Sequence, residues 1–108
     1  MKLEILHVPD CPGLALLTRR IAEALGDERI ADTITYRVVN DPAGAIESGM
    51  TGSPTLLIDG DDPFAVCGLV PSLSCRLYRA DRGVDHAPSV AELRAALNDR
   101  LRGKESGQ

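Results

Sequence analysis

The chain has 108 residues, of which 44% are apolar, so it suits one globular domain with a modest core. Twelve basic against sixteen acidic residues leave a net charge of −4, and Phe64, Tyr36 and Tyr78 are the whole aromatic set. No basic stripe or base-stacking surface is available, which argues against a nucleic-acid partner. No apolar run approaches the roughly 18 residues of a membrane span, and the N-terminal segment is not a signal peptide. No membrane partner is expected, and the cytoplasm is the expected location.

Lys2–Val8 predicts a first strand, with Leu3 and Ile5 on one face and Leu6 and Val8 on the other, covered on both sides. His7 within it reads as a hydrogen-bonded core histidine. Pro9-Asp10-Cys11-Pro12-Gly13 then turns the chain. Leu14, Leu17, Ile21 and Leu25 recur at three- and four-residue spacing and predict an amphipathic helix stopped by Gly26. Pro12 suits the first helical position, which makes Cys11 the expected N-cap.

Thr33–Val39 is dense in β-branched and aromatic residues and predicts the second strand. Asp41 followed by Pro42 opens a short helix that ends at Gly49. Gly52-Ser53-Pro54 leads into a third strand, Thr55–Asp59, with a turn at Asp59-Gly60. Leu73, Cys75 and Leu77 alternate with polar neighbours and favour a fourth strand with Cys75 on its core side; a short helix is the rival reading. After an Arg82-Gly83 turn, Ser89 and Glu92 form a capping box for a last helix with Leu93, Leu97 and Leu101 as its stripe. The order is β-α-β-α-β-β-α, an α/β domain over residues 1–102 with a flexible polar tail at 103–108.

Three cysteines are too few and too scattered for a disulfide scaffold. Cys11 is the best candidate for chemistry, because unpaired N–H groups at a helix start stabilise a thiolate, the nucleophilic form of sulfur. The alternative is a buried cysteine acting as a small apolar residue. Asp10 beside it could exchange a proton or simply form the turn, and its charge opposes the thiolate. Cys67 sits in a loop and reads as exposed; it and Cys75 are the two possible distant partners for Cys11. No pair of Cys or His ligands is spaced for a metal site, and no cofactor is expected. The oligomeric state is left open.

The cysteine motif Cys11-Pro12-Gly13-Leu14 after the first strand, with Gly52-Ser53-Pro54-Thr55 before the third, resembles the thioredoxin-like superfamily. More narrowly, the chain resembles short bacterial thioredoxin-like proteins that often carry the name alkylmercury lyase. The resemblance covers residues 1 to 60 best. It implies a mixed four-stranded sheet flanked by helices, a nucleophilic Cys11 and a cis Ser53–Pro54 bond. It also implies a substrate groove shaped by Pro12, Gly13 and Pro54, where the backbone of Ser53 binds an extended thiol or disulfide substrate, glutathione or protein. The motif here is C-x-x-L, since Leu14 stands where dithiol members carry a second, resolving cysteine. The expected function is monothiol thiol–disulfide oxidoreduction at Cys11, with Asp10 and either Cys67 or Cys75 as further catalytic candidates. The alternatives are a thiol-based organomercury or heavy-metal handler, which would use the same atoms, and a non-catalytic binding module that keeps only the scaffold.

Overall fold

β1 (Leu3–His7) is the central strand of a three-stranded mixed sheet in the computed structural model, which describes residues 2–27, 29–65, 68–80 and 83–106. It runs parallel to β2 (Thr35–Val38), from Glu4↔Thr35 to His7↔Val38. On its other side it pairs antiparallel with β4 (Thr55–Ile58), from Leu3↔Ile58 to Leu6↔Thr55. Alternation along β1 divides the core into two. Leu3 and Ile5 join Leu17, Ile21, Leu93 and Leu97 on one face, whereas Leu6 joins Val39, Ala45 and Met50 on the other. This two-sided burial is what the first seven residues predict. β2 is an edge strand with all four residues exposed.

Helices α1 (Leu14–Leu25) and α3 (Val90–Ser106) pack together on the first face. α2 (Pro42–Ser48) contributes Ala45 to the second. Asp41 caps α2 by accepting from the Gly44 amide at 2.6 Å, and Gly49 closes it in the left-handed conformation, φ +81°. Gly26 closes α1 in the same way. Ser89 accepts from the Glu92 amide at 3.1 Å, as a capping box requires, but Glu92 takes its bond from the Ser89 hydroxyl instead of a backbone amide. α3 stays helical through residues 103–106, where the sequence suggests a tail; the side chain of Leu101 lies outside the described set.

The start of α1 and the pairing of the fourth strand also differ from expectation. α1 begins at Leu14 with Gly13 as its N-cap, so Cys11 and Pro12 belong to the preceding turn. The chain before α3 crowds Gly13, where a side chain would begin 2.7 Å from the His86 carbonyl oxygen. The fourth strand does not extend the central sheet among the described residues. β5 (Ser72–Cys75) instead pairs parallel with β3 (Thr51–Ser53), and β6 (Tyr78–Ala80) pairs antiparallel with β7 (Gly83–Asp85); Arg82 of the expected turn lies outside the described residues. The run breaks at Arg76, which turns inward and is 6% exposed. Its guanidinium reaches the Asp62 carboxylate at 2.6 Å and the Phe64 carbonyl at 2.8 Å. The alternating residues therefore share no buried face: Leu73 is half-buried, while Cys75 and Leu77 are exposed. The described residues thus form an α/β fold with a mixed sheet and three α-helices. Among the described residues, no helix is long and apolar enough to cross a membrane.

Candidate functional site

β1 ends at His7, and the next amide, that of Val8, donates to the Ser53 side-chain oxygen at 3.0 Å. The Ser53 hydroxyl in turn donates to Cys11 Sγ at 2.9 Å. The chain of bonds has a direction. Val8 has only a proton to give, so it occupies an oxygen lone pair and leaves the serine proton for the sulfur. Ser53 is buried and Cys11 half-buried, so this bond is sheltered while the sulfur stays accessible. Cys11 thus receives a hydrogen bond from a side chain 42 positions away and does not occupy the N-cap position expected of it.

The Ser53–Pro54 peptide bond is cis, as the resemblance implies. Pro54 is buried, and its ring lies against Gly13, where a side chain would begin 3.0 Å from the Pro54 Cδ. The Ser53 backbone departs from expectation. Its carbonyl accepts from the Arg76 amide at 2.9 Å, because β5 lies alongside β3. The carbonyls on either side are taken as well, Gly52 by the Thr55 hydroxyl and Pro54 by the Tyr78 hydroxyl at 2.6 Å. Gly52 itself has φ +119° and faces Arg76 so closely that a side chain would begin 2.7 Å from the Arg76 Cβ. Tyr78 is buried beneath the Arg76 guanidinium, 4.7 Å from its ring centre, and burial pushes its hydroxyl pKa well above the usual tyrosine range.

A groove of about 790 Å³ runs from Cys11 along α1. Its walls include Leu14, Thr18 and Arg19 from the helix, and His7 and Tyr36 from the sheet. His7 is buried and its Nδ1 lies 3.0 Å from the Val8 carbonyl oxygen, which places the proton on Nδ1. This agrees with the hydrogen-bonded core reading, and its ring meets Tyr36 edge-on at 6.5 Å. Asp10 is exposed at the mouth of the groove with φ +57°, a left-handed turn conformation that Asp tolerates better than most residues. Pro12 is exposed beside it and Gly13 is buried.

Cys75 is a free thiol, exposed where a core position was expected. It pairs in register with Ser53 but lines a different cavity, with Thr51, Phe64 and Tyr78. Cys67 lies outside the described residues. The structure therefore gathers Cys11, Asp10, Gly13, Ser53 and Pro54 at one place, with Cys75 on the neighbouring strand in the lining of another cavity. Among the described residues, no group of three or more His, Cys, Asp or Glu side chains could hold a metal ion. The sequence reading missed the Ser53 hydroxyl, Arg76, Tyr78 and the groove residues Arg19 and Tyr36. A serine before a proline signals a turn, and nothing local to Ser53 indicates that it reaches Val8. Comparison of the chain with protein-family models, curated proteins and solved structures finds no match.

Proposed function

We propose that this is a thioredoxin-like protein in which Cys11 carries out thiol–disulfide exchange as a single nucleophile. The observation that carries the reading is the Ser53 hydroxyl bond to Cys11 Sγ, directed by the Val8 amide. The sheet order β2-β1-β4, with the cysteine in the turn between β1 and α1, is consistent with that fold. In the reaction the Cys11 thiolate attacks one sulfur of a disulfide and forms a mixed disulfide, releasing the other half as a thiolate. Leu14 offers no second sulfur at the helix start. A second, external thiolate therefore attacks the mixed disulfide, frees Cys11 and carries away the bound half. Such a cycle suits a reducing compartment rich in small thiols, the cytoplasm.

The test is competitive alkylation of the native protein at mildly acidic pH, with site mapping by mass spectrometry. Cys11 is expected to react faster than Cys67 and Cys75. Ser53→Ala should slow it by about tenfold, the loss of one hydrogen bond to a charged group, while Ser53→Thr should retain most of the rate. Equal rates at the three thiols, or a Ser53→Ala rate equal to wild type, would defeat the reading.

A further inference from the structure

Resting on that reading, we infer that the substrate of Cys11 is a low-molecular-weight disulfide with an apolar, aromatic arm bearing one carboxylate, and not an extended polypeptide. The first ground is what the backbone beside the sulfur has already done with its hydrogen bonds. A polypeptide bound as an added strand needs free N–H and C=O groups to pair with. At Gly52, Ser53 and Pro54 each carbonyl already accepts a bond from within the chain, from Thr55, Arg76 and Tyr78. β5 occupies one edge of β3, with Thr51 opposite Ser72 and Ser53 opposite Cys75. On that edge the chain's own strand takes the place of an added one.

The second ground is the space that remains. The groove of about 790 Å³ that includes Cys11 falls in the range of small-molecule sites. From Ala15 to Ala22 its helical wall runs about 10 Å at 1.5 Å per residue, the length of a small organic arm rather than of a folded partner. Ala15 and Ala22 are small, Leu14 is apolar, and the edge-on pair of His7 and Tyr36 offers aromatic surface. The position that a resolving cysteine would take is part of the apolar wall.

The third ground is charge. Asp10 and Arg19 are the two side chains of the lining with a full charge, and they differ in place. Asp10 adjoins the cysteine in sequence, so it repels an anion held close to the sulfur. Arg19 projects from α1 beyond Ala15 and has no ion-pair partner among the described residues. A single carboxylate at the far end of an arm matches both, whereas glutathione brings two carboxylates on a flexible polar backbone.

In the exchange the Cys11 thiolate attacks one sulfur of the symmetrical disulfide. The new bond joins Cys11 to the arm, and the second arm leaves as its thiolate with the electron pair of the broken S–S bond. The experiment uses the full chain carrying Cys67→Ser and Cys75→Ser, so that Cys11 alone reports. Rates are measured with 5,5′-dithiobis(2-nitrobenzoate), the neutral 2,2′-dithiodipyridine, oxidised glutathione and a disulfide-linked extended peptide. Each rate is divided by that of the same probe with the urea-unfolded chain. The nitrobenzoate disulfide is expected to gain at least tenfold over glutathione and over the peptide. Arg19→Glu should cut its advantage over the neutral pyridine probe at least fivefold, and Ala15→Trp, which fills the groove, should remove most of the gain for both aromatic probes. Equal ratios for all four probes, or preference for the peptide, would overturn the substrate class while leaving exchange at Cys11 intact. A Cys11 that reacts with no disulfide in the folded chain would overturn the exchange reading and this inference together.

Discussion

A phenol buried next to a carbonyl has one sensible protonation state, and Tyr78 is held in it. Its hydroxyl donates to the Pro54 carbonyl at 2.6 Å, and loss of that proton would set a buried anion against a carbonyl oxygen. Desolvation raises its pKa above the ordinary value of 10.0, although the Arg76 guanidinium pulls the other way. The sign of the consequence follows. Below about pH 10 the phenol is neutral in both the folded and unfolded chains. Above it, the unfolded tyrosine ionises first, so stability falls as pH rises. In a Tyr36→Phe variant, Tyr78 is the remaining phenol, and near-ultraviolet phenolate absorbance should stay flat past pH 10 and appear with unfolding. A smooth titration of the native fold near the ordinary value would contradict this. Single residues were legible in the sequence where their role is local. Cys11 and Pro54 stand out in the sequence because short motifs carry them. The Ser53 hydroxyl does not, because its partners Val8 and Cys11 lie 45 and 42 positions away along the chain.

Among the elements, those with their signals inside themselves were read correctly. α2 shows its Asp41 cap, its Pro42 and its Gly49 stop within nine residues of sequence. β5 was misplaced because its end is set from outside, by the pull of Asp62 and Phe64 on Arg76. The close approach of His86 to Gly13, the α1 N-cap, is likewise a tertiary contact that no local signal in the sequence reports. Arg76 thus anchors the strand that covers the Ser53 backbone. Arg76→Ala leaves Asp62 half-buried without its counter-ion and should cost about 3–5 kcal/mol in chemical denaturation. Adding Asp62→Asn should recover part of the loss, because the unpaired charge goes with it. A loss below about 1 kcal/mol, the scale of a surface pair, would show that the pair does not fasten β5.

At the scale of the molecule, α1 and the chain leading into α3 are joined by one side chain. Arg20 donates to the Ala87 carbonyl at 3.0 Å, the Pro88 carbonyl at 3.2 Å and the Asp85 carboxylate at 2.8 Å. The hydrogen bond from Arg20 holds the Asp85 carboxyl below the usual carboxylate range. A depressed carboxyl pKa contributes stability above its unfolded value and loses it as pH falls. Arg20→Ala should therefore destabilise the fold near neutral pH, with the Ala87 and Pro88 carbonyls also left short of a donor, and the gap to wild type should narrow in acid as Asp85 protonates. Thermal melts of both proteins across that range check it, and a gap independent of pH would remove Asp85 from the account. The helix and strand order was legible because apolar periodicity reports each core face; the split of the strands into three sheets was not, because pairing is decided between segments. The two tyrosines add a practical consequence. One lines the groove, the other sits behind the Pro54 loop, and the chain has no tryptophan. Its intrinsic fluorescence therefore comes from two separate positions, so that an arm entering the groove should dim Tyr36 and a disturbance of the loop should change Tyr78, each assignable by a single Phe substitution.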